Sequence, residues 1–184
     1  HDALPIYFAT TFTEKQPPVT IASADGISIT DPDNDSLVGA TVRITNLLDG
    51  DFEELAVNTG DTDITANYNQ GTGVLTLSGE NSLSVYEQVL ATVTYINRSL
   101  DPNTSDRRIE VVVNDGRDNN NPLAVSTISV VAVNDPPVID LDTTNSVAGG
   151  NNFATTFERG GEPVTIASAD GISITDPDND SLVG

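Results

Sequence analysis

The sequence predicts an all-β fold, a β-sandwich carried in tandem repeats, on three observations. Thr, Val and Ile supply 54 of the 184 residues, and β-branched side chains suit a pleated sheet better than a helix. Of the 28 acidic residues 20 are Asp and 8 are Glu, so the charge sits in turns, where Asp hydrogen-bonds its local backbone. Third, Ala9–Gly39 and Ala154–Gly184 agree at 26 of 31 positions at a fixed offset of 145, the mark of a tandem array.

Along the first repeat, β-rich runs alternate with turn signals at the spacing of a sandwich. Strands are expected at Pro18–Ala22, Ile27–Thr30, Ala40–Asn46, Leu55–Asn58, Ile64–Tyr68 and Val74–Ser78. Others follow at Thr92–Asn97, Arg108–Val113 and Ser126–Val133. Gln70-Gly71-Thr72-Gly73 reads as a hairpin loop, and Asn114-Asp115-Gly116 as turn chemistry. Ser84-Val85-Tyr86-Glu87 fits a Ser-x-x-Glu capping box, so one or two helical turns are expected over Ser84–Ala91. Asn134-Asp135-Pro136-Pro137 ends the repeat, because proline can neither donate to a ladder nor continue a helix. Val138–Asp142 should open the next one.

Residues 1–6, HDALPI, resemble the translation of a widely used sequencing adapter, and are expected to be an artefact at the edge of a metagenomic fragment. The domain reading is then 7–136 for a first repeat whose opening strand is missing, and 137–184 for the truncated start of the next. A missing edge strand exposes unpaired backbone groups and invites a strand from another chain.

Composition narrows the function. With 7 Lys+Arg against 28 Asp+Glu, the net charge is −21, which excludes a nucleic-acid binder and disfavours anionic membranes. No cysteine is present for a disulfide or a thiolate metal site, and no run approaches a membrane span. The single histidine is His1, within the suspect stretch, so a serine nucleophile has no general base. No Trp and few aromatics argue against a sugar cleft. The chain reads as a non-enzyme.

Two acidic loops stand out: Asp31-Pro32-Asp33-Asn34-Asp35 and its copy Asp176-Pro177-Asp178-Asn179-Asp180. They are either solvated Asx/Pro turns or part of an oxygen cage for Ca²⁺ (Ca2+), which takes 6–8 ligands at about 2.3–2.6 Å. Asp49–Glu54 has similar acid density without EF-hand spacing, and reads as a solvated turn; Asp115 and Asp118 read likewise.

The order of motifs resembles cadherins, and more closely the cadherin-like tandem repeats of very large bacterial cell-surface adhesins. The pieces are Glu14, the Asp31/Asp33 loop, Val113-Asn114-Asp115-Gly116, the run Tyr86–Asn97, and the junction Val133-Asn134-Asp135-Pro136. The resemblance covers essentially Phe8–Gly184 and implies a Greek-key, immunoglobulin-like sandwich. It also implies metal ligands: Glu14, the Asn134 carbonyl and Asp135, with Asp176 and Asp178 from the second repeat, and Asp31, Asp33, Asp35 and Asp180 in the loops. Two departures from cadherin linkers, Ala132 and Pro136 in place of further ligands, imply fewer or weaker ions.

The function implied is a calcium-binding spacer in an extracellular, secreted surface protein that serves adhesion. Its partners would be neighbouring repeats of the same chain, with a cell-surface or polysaccharide target bound through other domains. Direct repeat-to-repeat adhesion is not separable from this by sequence. The alternative is a carbohydrate-binding module of a polysaccharide-degrading enzyme. Near-verbatim copying favours the spacer.

Overall fold

β-branched and aromatic runs become strands here wherever a partner strand reaches them. The computed structural model describes residues 6–23, 26–120, 122–169 and 171–179. The chain divides into a first unit, His1–Val133, and a second, Asn134–Gly184.

The first unit is a two-sheet sandwich. Its strands are β1 (Ile6–Thr13), β2 (Val19–Thr20), β3 (Ser36–Ile44), β4 (Glu53–Ala56), β5 (Thr65–Asn69), β6 (Val74–Ser82), β7 (Thr94–Asn97), β8 (Arg107–Asn114) and β9 (Ala124–Val131). The larger sheet has the order β1-β9-β8-β3-β6-β5 and the smaller one β2-β7-β4. Consecutive strands mostly change sheets, leaving β5–β6 and β8–β9 as the hairpins. This is the all-β, immunoglobulin-like class that the sequence predicts. The core between the sheets holds Phe12, Val42, Ile44, Leu55, Leu75, Leu77, Tyr95, Ile109 and Ile128. Phe12 meets Tyr95 edge-on at 5.6 Å, the favoured geometry for two aromatic quadrupoles.

Three local differences from the sequence reading have physical causes. β1 is absent from the sequence reading, which sets residues 1–6 aside and starts its strands at Pro18; it forms by pairing parallel with β9, Tyr7 opposite Val125 through Thr13 opposite Val131. Ile27–Thr30 was expected as a strand and is irregular, because among the described residues no strand lies against it. The helix α1 (Leu83–Leu90) is where the pattern places it, but its N-cap is Ser82, whose hydroxyl accepts the Val85 N–H at 3.4 Å. Glu87, expected to close a capping box, instead accepts the Ile29 N–H at 2.7 Å and holds the irregular segment against the helix.

One glycine is fixed by the sheet. Gly79 has φ +138°, and a Cβ there would sit 2.6 Å from the Asp63 carbonyl oxygen. Only a residue without a side chain lets β6 pass that close to the neighbouring backbone.

In the second unit, β10 (Val138–Asp140) pairs antiparallel with β11 (Ser173–Thr175). Among the described residues no helix is long and apolar enough to cross a membrane.

Candidate functional site

The first acidic loop folds on itself. Asp31 Oδ1 accepts the N–H groups of Asp33 (2.9 Å) and Asn34 (3.1 Å), an Asx turn that ends the irregular segment before β3. The β8–β9 connection builds a second one, in which Asp115 Oδ1 accepts from the N–H of Arg117 (2.8 Å) and Asp118 (2.7 Å). These two backbone bonds, from Asp118 first, hold the Asp115 carboxyl below the usual carboxylate range. The turns meet: Asn34 Nδ2 donates to Asp115 Oδ2 at 2.6 Å. The structure thus gathers Asp31, Asp115 and Asp118 around one cavity at the end of the sheet where β9 begins, with Asn34 joined to it through Asp115. Asp33 and Asp35 lie exposed on the same loop.

Glu14 is at the opposite end. It follows β1, beside the last residues of β9, the full length of that strand away from the end where the Asp115 turn lies. Its side chain is 1% exposed. Its N–H donates to the Val131 carbonyl (2.9 Å), and its Oε2 accepts the Val133 N–H (2.8 Å). Oε1 has no hydrogen-bond partner, with Lys15 Nζ at 3.5 Å. A buried carboxylate oxygen without a hydrogen bond is costly unless a cation compensates it.

In the second unit the acidic loop repeats its Asx turn, Asp178 N–H donating to Asp176 Oδ1 at 3.1 Å. Asp178 Oδ2 in turn accepts the Asp135 N–H. Asn134 spends its side-chain amide on the Asp135 carbonyl at 2.8 Å. Asp180 lies outside the described residues, as do residues 1–5 of the adapter-like stretch. Among the described residues no group of three or more acidic side chains is gathered closely enough to hold a metal ion.

Pattern reading missed two acids. Asp49 and Glu53 were expected in a solvated turn; they form a buried network instead. Glu53, 0% exposed, accepts from Leu48 N–H (2.8 Å), Asp49 N–H (2.7 Å), Tyr95 Oη (2.8 Å) and Arg107 Nε (2.8 Å). Arg107 Nη2 donates to Asp49 Oδ2 at 2.6 Å, and its Nη1 to the carbonyls of Asn103 and Ser105. Every charge there is paired, so this cluster joins two loops to the sheet and leaves no site. In the second unit, burial alone would raise the Asp142 carboxyl; bonds from Val147, Thr144 and Ser146 outweigh it and hold that carboxyl low. For Asp49 and Glu53 the deciding partners, Tyr95 and Arg107, lie 42 to 58 residues along the chain, which local pattern cannot supply.

No protein-family model matches the chain. It is similar to halomucin of Haloquadratum walsbyi (strain DSM 16790 / HBSQ001), 42% identical over 91 residues, a match that covers 47% of this chain. The same match spans 1% of halomucin, so this chain is similar to a short stretch of a very long protein.

Proposed function

We propose that this chain is a spacer repeat of a long extracellular surface protein, in which calcium stiffens the linker between consecutive sandwiches. The similarity to a stretch of halomucin is consistent with a surface-protein repeat, and with the all-β fold it favours a non-enzymatic module. The observation that carries the calcium reading lies on either side of Asn134. Within the first unit Glu14 holds the Val133 N–H, and within the second Asp178 holds the Asp135 N–H. Both neighbours of Asn134 are therefore anchored to carboxylates, one of them with a buried oxygen that accepts no hydrogen bond.

Glu14, the Asn134 carbonyl, Asp135, Asp176 and Asp178 would hold the ion. A divalent cation there supplies positive charge that offsets repulsion among carboxylates on a −21 chain. The chain's own residues do the rest. Pro136 and Pro137 fix φ at two consecutive positions, which limits the linker's freedom before any ion binds.

Thermal melts of this chain in EDTA, millimolar magnesium and millimolar calcium test the reading. Extracellular calcium modules bind at about 10⁻⁴–10⁻³ M, and at a hundredfold excess one native-state site adds about 2.7 kcal/mol. Calcium alone should raise the melting temperature, and Asp135→Ala should remove most of that rise. Identical melts in EDTA and calcium would remove calcium from the mechanism.

A further inference from the structure

Four Asn-x-Ser triplets stand in the chain, at Asn34, Asn97, Asn103 and Asn179. In an exported protein each is an acceptor sequence for an N-linked glycan, a bulky polar group that only a surface position can carry. The fold treats them unequally. Asn97 ends β7 with its side chain inside; it is 3% exposed, and its Nδ2 donates to Asp49 Oδ2 at 2.6 Å. Asn34 is half-buried and spends its Nδ2 on Asp115 Oδ2 at 2.6 Å. A sugar on Asn97 would break open the buried Asp49 network, and one on Asn34 would crowd the contact that joins the two Asx turns. The triplet at Asn179 runs beyond the described residues. Asn103 differs from the others. It lies exposed between β7 and β8, with Thr104 and Ser105 exposed beside it. Its backbone is held from both sides: its N–H donates to both Asp49 carboxylate oxygens at 3.1 Å, and its carbonyl accepts Arg107 Nη1 at 3.0 Å. Its Oδ1 accepts the Ser105 N–H at 2.9 Å, an Asx turn that fixes the side-chain amide. Asn97 makes the same turn to the Ser99 N–H at 2.9 Å, so the turn alone does not separate the two. Exposure and the amide nitrogen do, since Asn103 Nδ2 makes no hydrogen bond among the described residues.

We propose that Asn103 is an N-glycosylation site of the folded chain, and that Asn34 and Asn97 are not. The donor is a glycosyl phosphate on a lipid carrier. Asn103 Nδ2 forms a bond to the anomeric carbon. The bond from that carbon to the phosphate oxygen breaks, its electron pair leaving with the phosphate, and Nδ2 gives up one proton. The fold gives up no contact, because the Oδ1 turn and both backbone bonds of Asn103 stay in place. The proposal rests on the surface-protein reading for export alone, since this transfer takes place outside the cytoplasm. Calcium plays no part in it.

Secretion of the full chain from a eukaryotic host, followed by intact mass and glycopeptide sequencing, tests this. The secreted chain should carry a glycan on Asn103 and none on Asn34 or Asn97. Asn103→Gln and Ser105→Ala should each lose that glycan and keep the circular dichroism spectrum of the wild type. Ser105→Ala retains the asparagine and the backbone bonds of the turn, which separates loss of the acceptor signal from loss of the fold. Ser105→Thr should keep the glycan. A secreted chain bare at Asn103, or a folded one with sugar on Asn97 or Asn34, would overturn the proposal. The host supplies both export and donor, so neither result bears on the surface-protein or calcium reading.

Discussion

Arg107 shows how much a single buried residue decides. Its guanidinium is 0% exposed and lies between the carboxylates of Glu53 and Asp49. Arg107→Met would leave two carboxylates near the core without their cation, at a cost of about 3–5 kcal/mol. A urea melt should show that loss in its midpoint. The same network acts on the tyrosines. Burial, then Glu53 and Glu54, push the Tyr68 phenol up to about 12. Tyr95 is raised by burial first and then by the Glu53 carboxylate, to which its hydroxyl donates. A group whose folded pKa is raised contributes stability below its unfolded value, near 10, and loses it as pH climbs through the folded value. Alkaline unfolding should therefore set in between about pH 10 and 12. An absorbance titration at the phenolate band should show these tyrosines ionising together with loss of structure. Separate ionisation near pH 10 with the fold intact would contradict the burial argument.

At the scale of elements, α1 places a helical cap over one end of the core with Tyr86, Val89 and Leu90 buried. Two serines compete in the sequence to start it. Ser82 caps the helix, at a long 3.4 Å, whereas Ser84 shares a hydroxyl contact with Ser82 at 3.1 Å. Ser82→Ala should cost about 0.5–1 kcal/mol, the lower part of the N-cap range, and Ser84→Ala close to nothing. Chemical denaturation of the two variants side by side separates them; equal effects would mean that the cap is shared. Glu87 works across elements as well as within its helix, since its carboxylate accepts the Ile29 N–H at 2.7 Å and ties that irregular segment to α1. The irregular segment is thus held by a helix residue 58 positions along the chain.

For the whole molecule, charge is the dominant condition. Seven cations face 28 acids, and two of the cations, Arg107 and Lys15, already lie beside buried carboxylates. Self-repulsion of such a surface opposes the compact state and fades as salt shortens the Debye length from about 10 Å at 0.1 M to 3 Å at 1 M. The melting temperature should rise steadily with NaCl. Calcium in the millimolar range should add a rise that an equal ionic strength of NaCl does not reproduce. If the two salts act alike at matched ionic strength, screening alone accounts for the stabilisation.

What the sequence determined by itself is the fold class, most strand positions and the repeat, because β-branched content, turn chemistry and near-identical copies are local properties of the chain. It also located the helix to within a residue or two, from the spacing of Tyr86 and Leu90. What only tertiary structure decided is which runs are used. Phe12 and Phe157 occupy matching places in the repeat, yet one is 0% and the other 60% exposed; Ile21 and Ile166 are 4% and 83% exposed. In the first unit β9 lies against β1 and β7 against β2, partners drawn from about 75 to 120 residues further along the chain. The described residues of the second unit bring no such partners to the same sequence, and it stays largely irregular. Gly26–Thr30 shows the converse, being a strand only in the copy where β10 reaches it. The buried roles of Glu14, Asp49 and Glu53 were equally invisible, since an acid's solvation depends on residues up to 119 positions away that local pattern does not see. A strand is a pairing, and its partner is chosen by the fold.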